Sequence, residues 1–560
     1  MILRLKIYFI VFLLVFVTLW ARLFYWQIIK GGNLSQKAKL QYQAKELLSA
    51  PRGSILSSDR TWLAANTQGW LMYASKLEIT ESLKSIANKI TPLLRDRNIQ
   101  IEELLNRKNL VWIPLVHKLK SDVKNNIQAL NINGIGFEPE DLRVYPESSS
   151  AAQLLGFVGK DDLGQDKGYF GLEGYYDLQL TGKEGFALAE KDAHGVTLVD
   201  GDKKTISAIS GVDLLTYIDK TIQLVIEKRL KEGIEKYGAI SGTAVVLDPN
   251  SGGVLAMASY PSYDPEKYFD YGNEFFKNPV ISDSFEPGSI FKTIVMASGL
   301  DAGVIEPNTK CDICGGPVKV DKYSIETWDN KYHPDSTMTD VIVHSDNVGM
   351  TFVGRKLGAG LLYDYLTKFG IGELSGVDLQ GEENSGLRGK GSWNDVDLAT
   401  ASFGQGVAVT PIQMVRAAAV IANGGNLVKP KVVAKITKDG WEENIDKEQE
   451  ERVISTGAAE KMTNMMVAAV KNGEAKWTQA KGFKIAGKTG TAQIPIGGHY
   501  DDKKTIASFV GFAPADKPKF VMLVTLREPK TSPWGSETAA PLWFSIARDL
   551  FPYLGIQPEN

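Results

Sequence analysis

The sequence is poor in cysteine and histidine. Its 560 residues include only two cysteines, Cys311 and Cys314, and five histidines. A framework of several disulfides is therefore excluded. The two cysteines could form one local disulfide, supply half of a zinc site together with His333 or His344, or remain thiols. Because such a set is not spaced like a common zinc site, we expect no bound metal.

The sequence also lacks a strong excess of charge of one sign. Lysine and arginine total 63 and aspartate and glutamate total 66, which gives a net charge of −3. No long basic run occurs, so the electrostatic surface that binds a nucleic-acid backbone is missing. Apolar residues make up 43% of the chain, enough for several packed cores. We therefore expect a globular protein that does not bind nucleic acid.

One long apolar segment lies near the start of the sequence. Residues 7–21 are apolar except for Thr18, and apolar side chains resume after Arg22 up to Ile29. A cleaved signal peptide is the alternative to a membrane span, but no cleavage site with small residues follows, and aromatic residues cluster where the membrane interface would lie. We predict a short cytoplasmic tail over 1–6 and a retained transmembrane anchor over 7–29.

The rest of the sequence changes character near residue 212. A polar stretch after the anchor favours a helical stalk, residues 75–130 are charged and helix-like, and residues 154–185 favour short strands and turns. Beyond residue 212 a helix capped by Asp219 precedes a hairpin, intervening helices and three late strands. We predict domains over 30–211 and 212–560, the second an α+β fold whose first and last strands meet in one sheet.

Three short motifs in this second region carry side chains that could perform chemistry. Each motif is weak alone. The Ser-x-x-Lys spacing of the first motif also occurs at Ser121 and Lys124, and the Ser-x-Asn spacing of the second also occurs at Ser392 and Asn394. The candidates are Ser289 and Lys292 in "EPGSIFK", Ser345 and Asn347 in "HSDNVGM", and Lys488, Thr489, Gly490 and Thr491 in "GKTGTAQ".

The first motif pairs a nucleophile with a base. A serine hydroxyl is a weak nucleophile near neutral pH, and a neutral amine can activate it. The spacing predicts that Lys292 lies one helical turn from Ser289, where burial and neighbouring cations would lower its pKa. Pro287 and Gly288 would let the helix begin at Ser289, so that its N–H stabilises an oxyanion.

The other motifs complete this arrangement. We expect Ser345 to relay a proton between Lys292 and the leaving or attacking nitrogen. Asn347 would hold both the substrate amide and Lys292, and Lys488 would be a second cation that keeps Lys292 neutral.

The last motif lies on a predicted edge strand. Gly490 would let the substrate backbone approach, the hydroxyls of Thr489 and Thr491 would bind a substrate carboxylate, and the Thr491 N–H would complete the oxyanion hole. The expected substrate is an acyl peptide that ends in a free carboxylate, and this chemistry needs no cofactor.

In this order the motifs resemble those of penicillin-binding proteins and class A β-lactamases. With "SFGQGVAVTPIQM" (402–414), they resemble the catalytic domain of class B penicillin-binding proteins in particular. "APRGSILSSDR" and "GYFGLEGYYDLQLTG" resemble the pedestal module of that family, in which Arg52, Gly53 and Glu173 match family positions. Thr61 and Trp62 stand where the family usually has Asn-Gly, so we expect a different turn there. The resemblance implies an antiparallel sheet between helical layers, on an elongated pedestal.

The resemblance implies a peptidoglycan D,D-transpeptidase. Ser289 would attack the penultimate D-Ala of a donor stem peptide and expel the terminal D-Ala, and the amine of a neighbouring stem would resolve the acyl-enzyme into a crosslink. β-Lactams would acylate the same serine. Expected partners are the lipid-linked precursor, nascent glycan strands, a SEDS-type glycosyltransferase and other divisome or elongasome proteins. The resemblance also implies a single-pass protein of the bacterial plasma membrane with its catalytic domain outside, and "SFGQG" and "SDNVGM" favour the septal branch over the elongation branch.

Other functions are open to the same motifs. Water in place of the amine would give a D,D-carboxypeptidase or a β-lactamase, although a β-lactamase needs neither anchor nor pedestal. A non-catalytic β-lactam sensor or scaffold has no physical need for the full set of side chains, and a tail over 1–6 cannot encode an effector domain. We expect His194 and His499 to be loop residues outside the catalysis.

Overall fold

The computed structural model describes residues 1–94, 99–107, 110–190, 204–445, 451–496 and 499–559. Within these ranges only the backbone is described for 39–47, 188–190, 204, 495–496, 499 and 501–503. The chain forms two compact units, one of Met1–Arg52 with Thr181–Gly211 and one of Gly53–Leu180 with Val212–Asn560. The domain boundaries at 30–211 and 212–560 stay a prediction.

The β-strands are numbered in chain order. They are β1 (Gln43–Leu48), β2 (Ile55–Leu56), β3 (Trp62–Ser75), β4 (Trp112–Leu119), β5 (Ile135–Val144), β6 (Phe157–Lys160), β7 (Asp166–Tyr169), β8 (Gly185–Glu190), β9 (Lys204–Ile206), β10 (Asp213–Thr216), β11 (Ser241–Leu247), β12 (Val254–Tyr260), β13 (Val318–Val320), β14 (Tyr323–Ile325), β15 (Asn426–Leu427), β16 (Val433–Lys438), β17 (Trp441–Asn444), β18 (Glu451–Arg452), β19 (Ala486–Ile496), β20 (His499–Ala513) and β21 (Phe520–Arg527).

The α-helices are numbered in the same way. They are α1 (Ile2–Phe24), α2 (Gly31–Tyr42), α3 (Leu83–Ile90), α4 (Ile101–Leu105), α5 (Ser121–Gln128), α6 (Ala152–Leu155), α7 (Gly171–Tyr175), α8 (Asp177–Thr181), α9 (Lys220–Tyr237), α10 (Pro279–Ser282), α11 (Lys292–Asp301), α12 (Met338–Val343), α13 (Asn347–Leu357), α14 (Ala359–Lys368), α15 (Asp395–Ser402), α16 (Pro411–Ala422), α17 (Thr456–Asn472) and α18 (Ala539–Tyr553).

The first unit holds the apolar helix and a small sheet. Helix α1 continues through a turn of π-helix to Ile29, and the most apolar stretch of 18 residues within Ile2–Ile29 has a mean hydropathy of 2.4 with no side chain buried. In the part of the chain that the structure describes, this is the one helix long and apolar enough to cross a membrane. The predicted helical stalk is wrong for Gln43–Leu48, because this stretch pairs with β8 in the antiparallel sheet β1-β8-β9.

In the second unit, the residues that resemble the pedestal form a seven-stranded sheet with later strands. Its order is β17-β16-β10-β2-β3-β4, with β5 paired to β3. Glu173 is fully buried and accepts a 2.7 Å hydrogen bond from Arg143 Nε, while Arg143 Nη1 donates to the Gly53 carbonyl at 2.8 Å. A Cβ on Gly53 would lie 1.8 Å from the carbonyl oxygen of Val212, so the close approach of the backbone at these two residues requires glycine.

Two other positions of the resemblance also make defined contacts. In the first unit, Arg52 Nη1 donates to Thr181 Oγ1 at 2.7 Å. In the second unit, Asp59 Oδ1 accepts hydrogen bonds from Ser57 Oγ at 2.6 Å and from Thr61 Oγ1 at 2.8 Å. These side-chain bonds close the turn before the exposed Trp62 without the Asn-Gly pair.

The five-stranded antiparallel sheet β12-β11-β21-β20-β19 forms the centre of the region that carries the three motifs. Helices α9 and α18 cover one face, and α11, α16 and α17 cover the other. Along β11 the side chains alternate, with Val245 packed in the core on one face and Val246 in the core on the other. The predicted hairpin is the pair β11 and β12, and β11 also pairs with β21, so the first and last strands meet in one sheet as predicted.

Candidate active site

A turn of 3-10 helix, Gly288–Phe291, holds Ser289 directly before α11. The predicted helix therefore begins with this tighter turn. Gly288 has a φ of +56°, and its N–H donates to the carbonyl of Gly404 at 3.0 Å. A Cβ on Gly288 would lie 2.9 Å from the Thr491 carbonyl oxygen, so glycine allows the serine turn to lie against the edge strand.

Lys292 lies beneath this turn and is fully buried. Its Nζ donates to the carbonyl of Ser345 at 2.5 Å, to Asn347 Oδ1 at 2.8 Å and to Ser345 Oγ at 3.4 Å. Burial, and then the charge of Lys488, lower the pKa of Lys292 to about 7, against the opposing charges of Asp346 and Glu474. A large neutral fraction near neutral pH is what a general base requires.

Ser345 lies between the two lysines, at the junction of α12 and α13. Its φ of +57° is a left-handed backbone conformation that a serine seldom adopts. Asp346 then caps α13, since its Oδ1 accepts from the N–H groups of Val348 at 2.7 Å and Gly349 at 3.1 Å. This cap fixes Asn347 at the start of the helix, where its Nδ2 donates to the carbonyl of Glu326 at 3.0 Å.

Lys488 approaches Ser345 from the opposite side. Its Nζ donates to Ser345 Oγ at 3.0 Å, and to Thr489 Oγ1 at 3.1 Å. Burial lowers the pKa of Lys488, and the charge of Glu474 opposes that shift. The hydroxyl of Ser345 is thus within hydrogen-bond distance of both ammonium groups, a geometry that can pass a proton between Lys292 and the cleft.

The "GKTGTAQ" residues lie on β19, which is the edge strand of the five-stranded sheet. A Cβ on Gly490 would lie 2.3 Å from Ser508 Oγ and 2.9 Å from Ile290 Cγ2, so contacts with β20 and with the serine turn require glycine here. This packing is a reason for Gly490 that the sequence did not indicate. Thr491 Oγ1 accepts a hydrogen bond from the Gly535 N–H at 2.9 Å.

One cleft of about 280 Å³ brings the predicted residues together. It is lined by Ser289, Ser345, Asn347, Thr489, Gly490 and Thr491, while both lysines are buried. A larger cavity of about 520 Å³, lined by residues such as Tyr145 and Tyr268, contains none of them. The convergence of hydroxyls, amines and an exposed strand edge identifies the smaller cleft as the candidate active site.

The letters from Gly482 to Thr489 also match the spacing of a phosphate-binding loop, G-x-x-x-x-G-K-T. Such a loop connects a strand to the start of a helix. Here Gly487, Lys488 and Thr489 lie inside β19, where they pair with Gly511, Val510 and Phe509 of β20, respectively. The backbone N–H groups therefore cannot form a phosphate cradle.

Comparison with known proteins decides the family. The family model of the penicillin-binding protein transpeptidase domain matches residues 242–551, more than half of the chain, and that of the penicillin-binding protein dimerisation domain matches 47–216. The class B penicillin-binding proteins are the family to which this chain belongs. Residues 242–551 of this class B protein include all of the predicted site residues.

Named relatives agree with the family models. Stage V sporulation protein D of Bacillus subtilis is 30% identical over 98% of this chain and 85% of its own length. The peptidoglycan D,D-transpeptidase FtsI of Escherichia coli is 29% identical over 98% of this chain and 91% of its own. Penicillin-binding protein 3 of Mycobacterium tuberculosis, solved with aztreonam, matches with a TM-score of 0.71 and 25% identity over 92% and 98% of the two chains.

Several residues of this penicillin-binding protein's cleft were not found from the sequence. Glu474 follows α17 and lines the cleft beside Thr489, and Trp328 and Trp534 line it with ring centroids 5.3 Å apart. None of the three belongs to a motif with a fixed spacing, and only the fold brings them together. Gly404 of "SFGQG" is explained by its backbone contact, since a Cβ there would lie 2.2 Å from the Gly288 carbonyl oxygen.

The cysteines form the local disulfide that was one of the three alternatives. Cys311 and Cys314 are bonded to each other, which removes both from the possible zinc ligands. The rings of His333 and His344 stack with centroids 4.4 Å apart. Among the described residues, no group of three or more His, Cys, Asp or Glu side chains could hold a metal ion. His194 and the side chain of His499 lie outside what the structure describes.

Proposed function

We infer that this protein is a peptidoglycan D,D-transpeptidase that crosslinks stem peptides through an acyl-enzyme and binds β-lactams at the same serine. The family supports the activity, and one observation carries the assignment of the site. Lys292 is fully buried with a pKa of about 7, is bonded to Ser345 and Asn347, and begins the helix that follows Ser289. This is the environment of a lysine that acts as a base.

In the acylation step, Ser289 Oγ attacks the carbonyl carbon of the penultimate D-Ala, and its proton passes to Lys292. The N–H groups of Ser289 and Thr491 stabilise the oxyanion. The proton then reaches the departing amine through Ser345, the C–N bond breaks, and the terminal D-Ala leaves. The product of this step is an ester on Ser289.

The second step reverses these roles. The amine of a neighbouring stem attacks the ester carbonyl and gives a proton through Ser345 to Lys292. The C–O bond breaks, Ser289 Oγ recovers the proton, and the crosslinking amide is released. The strand edge of β19 suits an extended stem peptide, because an edge strand offers unpaired backbone groups.

The carboxylate of the donor would bind beside Lys488, at the hydroxyls of Thr489 and Thr491. Support for Thr491 comes from its contact with Gly535. The Thr491 oxygen accepts from that N–H, so its own proton is left for a substrate oxygen.

The protein acts on peptidoglycan, and its apolar N-terminal helix is consistent with attachment to a membrane. We further propose that it is a single-pass protein of the bacterial plasma membrane with its catalytic domain outside. Its partners would be the lipid-linked precursor, nascent glycan strands, a SEDS-type glycosyltransferase and other divisome proteins. We propose a septal role over a role in elongation, because "SFGQG" and "SDNVGM" resemble the septal branch of the family.

A donor-acceptor assay tests the reaction. The full-length protein in detergent is incubated with a donor that ends in D-Ala-D-Ala and with a stem that carries a free amine, and the products are resolved by mass spectrometry. We expect a crosslinked dimer and one released D-Ala for each crosslink. Release of D-Ala without the dimer, at any concentration of acceptor, would show a D,D-carboxypeptidase instead.

A further inference from the structure

Glu474 is a charged residue of the cleft for which the reaction above has no role. It lies just after α17, is half-buried, and lines the cleft with Ser289 and Thr491. Its Oε2 accepts a hydrogen bond from Thr489 Oγ1 at 3.0 Å. Of the described residues that line the cleft, Glu474 is the one with a carboxylate.

The hydrogen bonds of Thr489 limit what its hydroxyl can do. A hydroxyl has one proton to donate. Thr489 Oγ1 accepts a hydrogen bond from Lys488 Nζ at 3.1 Å, and it donates its own hydroxyl proton to Glu474. A substrate carboxylate can only accept hydrogen bonds, so it needs the hydroxyl proton that Thr489 donates to Glu474.

The charge of Glu474 acts in the same direction as its hydrogen bond. A second carboxylate bound beside Thr489 would lie close to Glu474, and like charges at such a distance repel. The field of Glu474 reaches both buried lysines, since its charge raises the pKa of Lys292 and that of Lys488. Glu474 therefore offsets part of the positive potential that would attract an anionic substrate.

We propose that Glu474 determines ligand specificity by occupying the Thr489 hydroxyl and disfavouring ligands that bear a carboxylate at that position. A donor peptide or a β-lactam must displace Glu474 from Thr489 before its own carboxylate is bound. This inference rests on the proposed function, because it assumes that Thr489 and Lys488 receive the carboxylate of a ligand that acylates Ser289.

The test compares one ligand in a charged and an uncharged form. Benzylpenicillin carries a carboxylate, and its methyl ester does not. The second-order rate constant of acylation is measured for both compounds on the full-length protein in detergent. The variants are Glu474→Gln, which removes the charge but keeps an acceptor, and Glu474→Ala, which removes both. Glu460→Gln is the matched control, because Glu460 is an exposed residue of α17 with the same charge.

The readout is the ratio of the two rate constants, in which any effect on Lys292 cancels because Lys292 acts on both compounds. We expect both Glu474 variants to raise the rate constant for benzylpenicillin, divided by that for the ester, about tenfold. The ratio for Glu474→Ala should be at least as high as that for Glu474→Gln. Glu460→Gln should leave the ratio unchanged. If the ratio is unchanged in both Glu474 variants, the inference is overturned while the proposed function stands. This also holds if a structural defect lowers both rate constants together. Absence of any adduct on the wild type overturns the proposed function itself.

Discussion

At the scale of single residues, the unusual feature is two buried lysines on either side of one serine hydroxyl. Burial disfavours the charge on both lysines, and the charge of Lys488 adds to the shift at Lys292, so the pKa of Lys292 falls to about 7 and that of Lys488 also falls. The charges of Asp346 and Glu474 limit the shift at Lys292. In the proposed mechanism, the balance of these groups prepares Lys292 to accept the proton of Ser289.

The lowered pKa predicts the pH dependence of acylation. Below pH 7 most Lys292 side chains carry the proton and cannot act as a base, and above pH 7 most are neutral. The rate constant for benzylpenicillin should therefore rise with pH through about 7 and level off above it. A pH–rate profile measured between pH 5 and about 9 checks this expectation. A rate that keeps rising towards the ordinary pKa of lysine would contradict it.

A second prediction concerns the buried ion pair of Arg143 and Glu173, whose side chains are 5% and 0% exposed. Glu173→Ala leaves a buried guanidinium without its partner, and we expect a loss of about 3–5 kcal/mol in the free energy of unfolding. Urea unfolding followed by tryptophan fluorescence measures it. Glu306→Ala, which breaks an exposed pair with Lys461, is the control and should change stability little. Equal losses in both variants would contradict the prediction.

At the scale of secondary-structure elements, the site depends on how closely the serine turn approaches β19. Gly288 in the serine turn, Gly490 in β19 and Gly404 beside the serine turn each occupy a place where a Cβ would lie within 3 Å of a neighbouring atom. A change of position of either element would therefore move Ser289 relative to Thr491, whose N–H we propose as an oxyanion donor.

Gly490→Ala tests this dependence. The new methyl group would meet Ser508 Oγ and Ile290 Cγ2, which belong to β20 and to the serine turn. We expect acylation by benzylpenicillin to slow by about 100-fold, because one oxyanion donor is worth that much or more. Gly457→Ala is the control, since a Cβ at this position of α17 meets no atom within 4 Å. If Gly490→Ala is acylated at the rate of the control, the packing is not essential.

Much of the order of elements could be predicted from local patterns. The hairpin of β11 and β12, the Asp219 cap of α9 and the strands β19, β20 and β21 follow from alternation and capping residues. Gln43–Leu48 could not be predicted, because its strand depends on pairing with β8 far along the chain. Glu474 was missed for the same reason, since only tertiary structure brings the end of α17 to Thr489.

At the scale of the whole molecule, the chain combines an apolar helix, a sheet region that matches the dimerisation family model and a transpeptidase region. The helix Ile2–Ile29 has no buried side chain, and such an apolar surface is unfavourable in water. Its length and composition suit a lipid bilayer.

Removal of residues 1–30 should convert the protein from membrane-bound to soluble. We expect the full-length chain to sediment with membranes after washing in high salt and to be released by detergent, because apolar burial and not charge holds it there. Ultracentrifugation of fractions with an antibody to the catalytic region measures the distribution. A truncated chain that still sediments with washed membranes would show a second membrane contact.

The central claim is that Ser289 is the nucleophile and Lys292 its base, and intact-mass spectrometry of the full-length protein with benzylpenicillin tests it most directly. Wild type, Ser289→Ala and Lys292→Ala are incubated in parallel, and the adduct is located by peptide mapping. The account predicts one stable penicilloyl adduct on Ser289 of the wild type, none on Ser289→Ala, and acylation of Lys292→Ala slowed by about 100-fold or more. An adduct that persists in Ser289→Ala, or rapid turnover of the drug by the wild type, would contradict it.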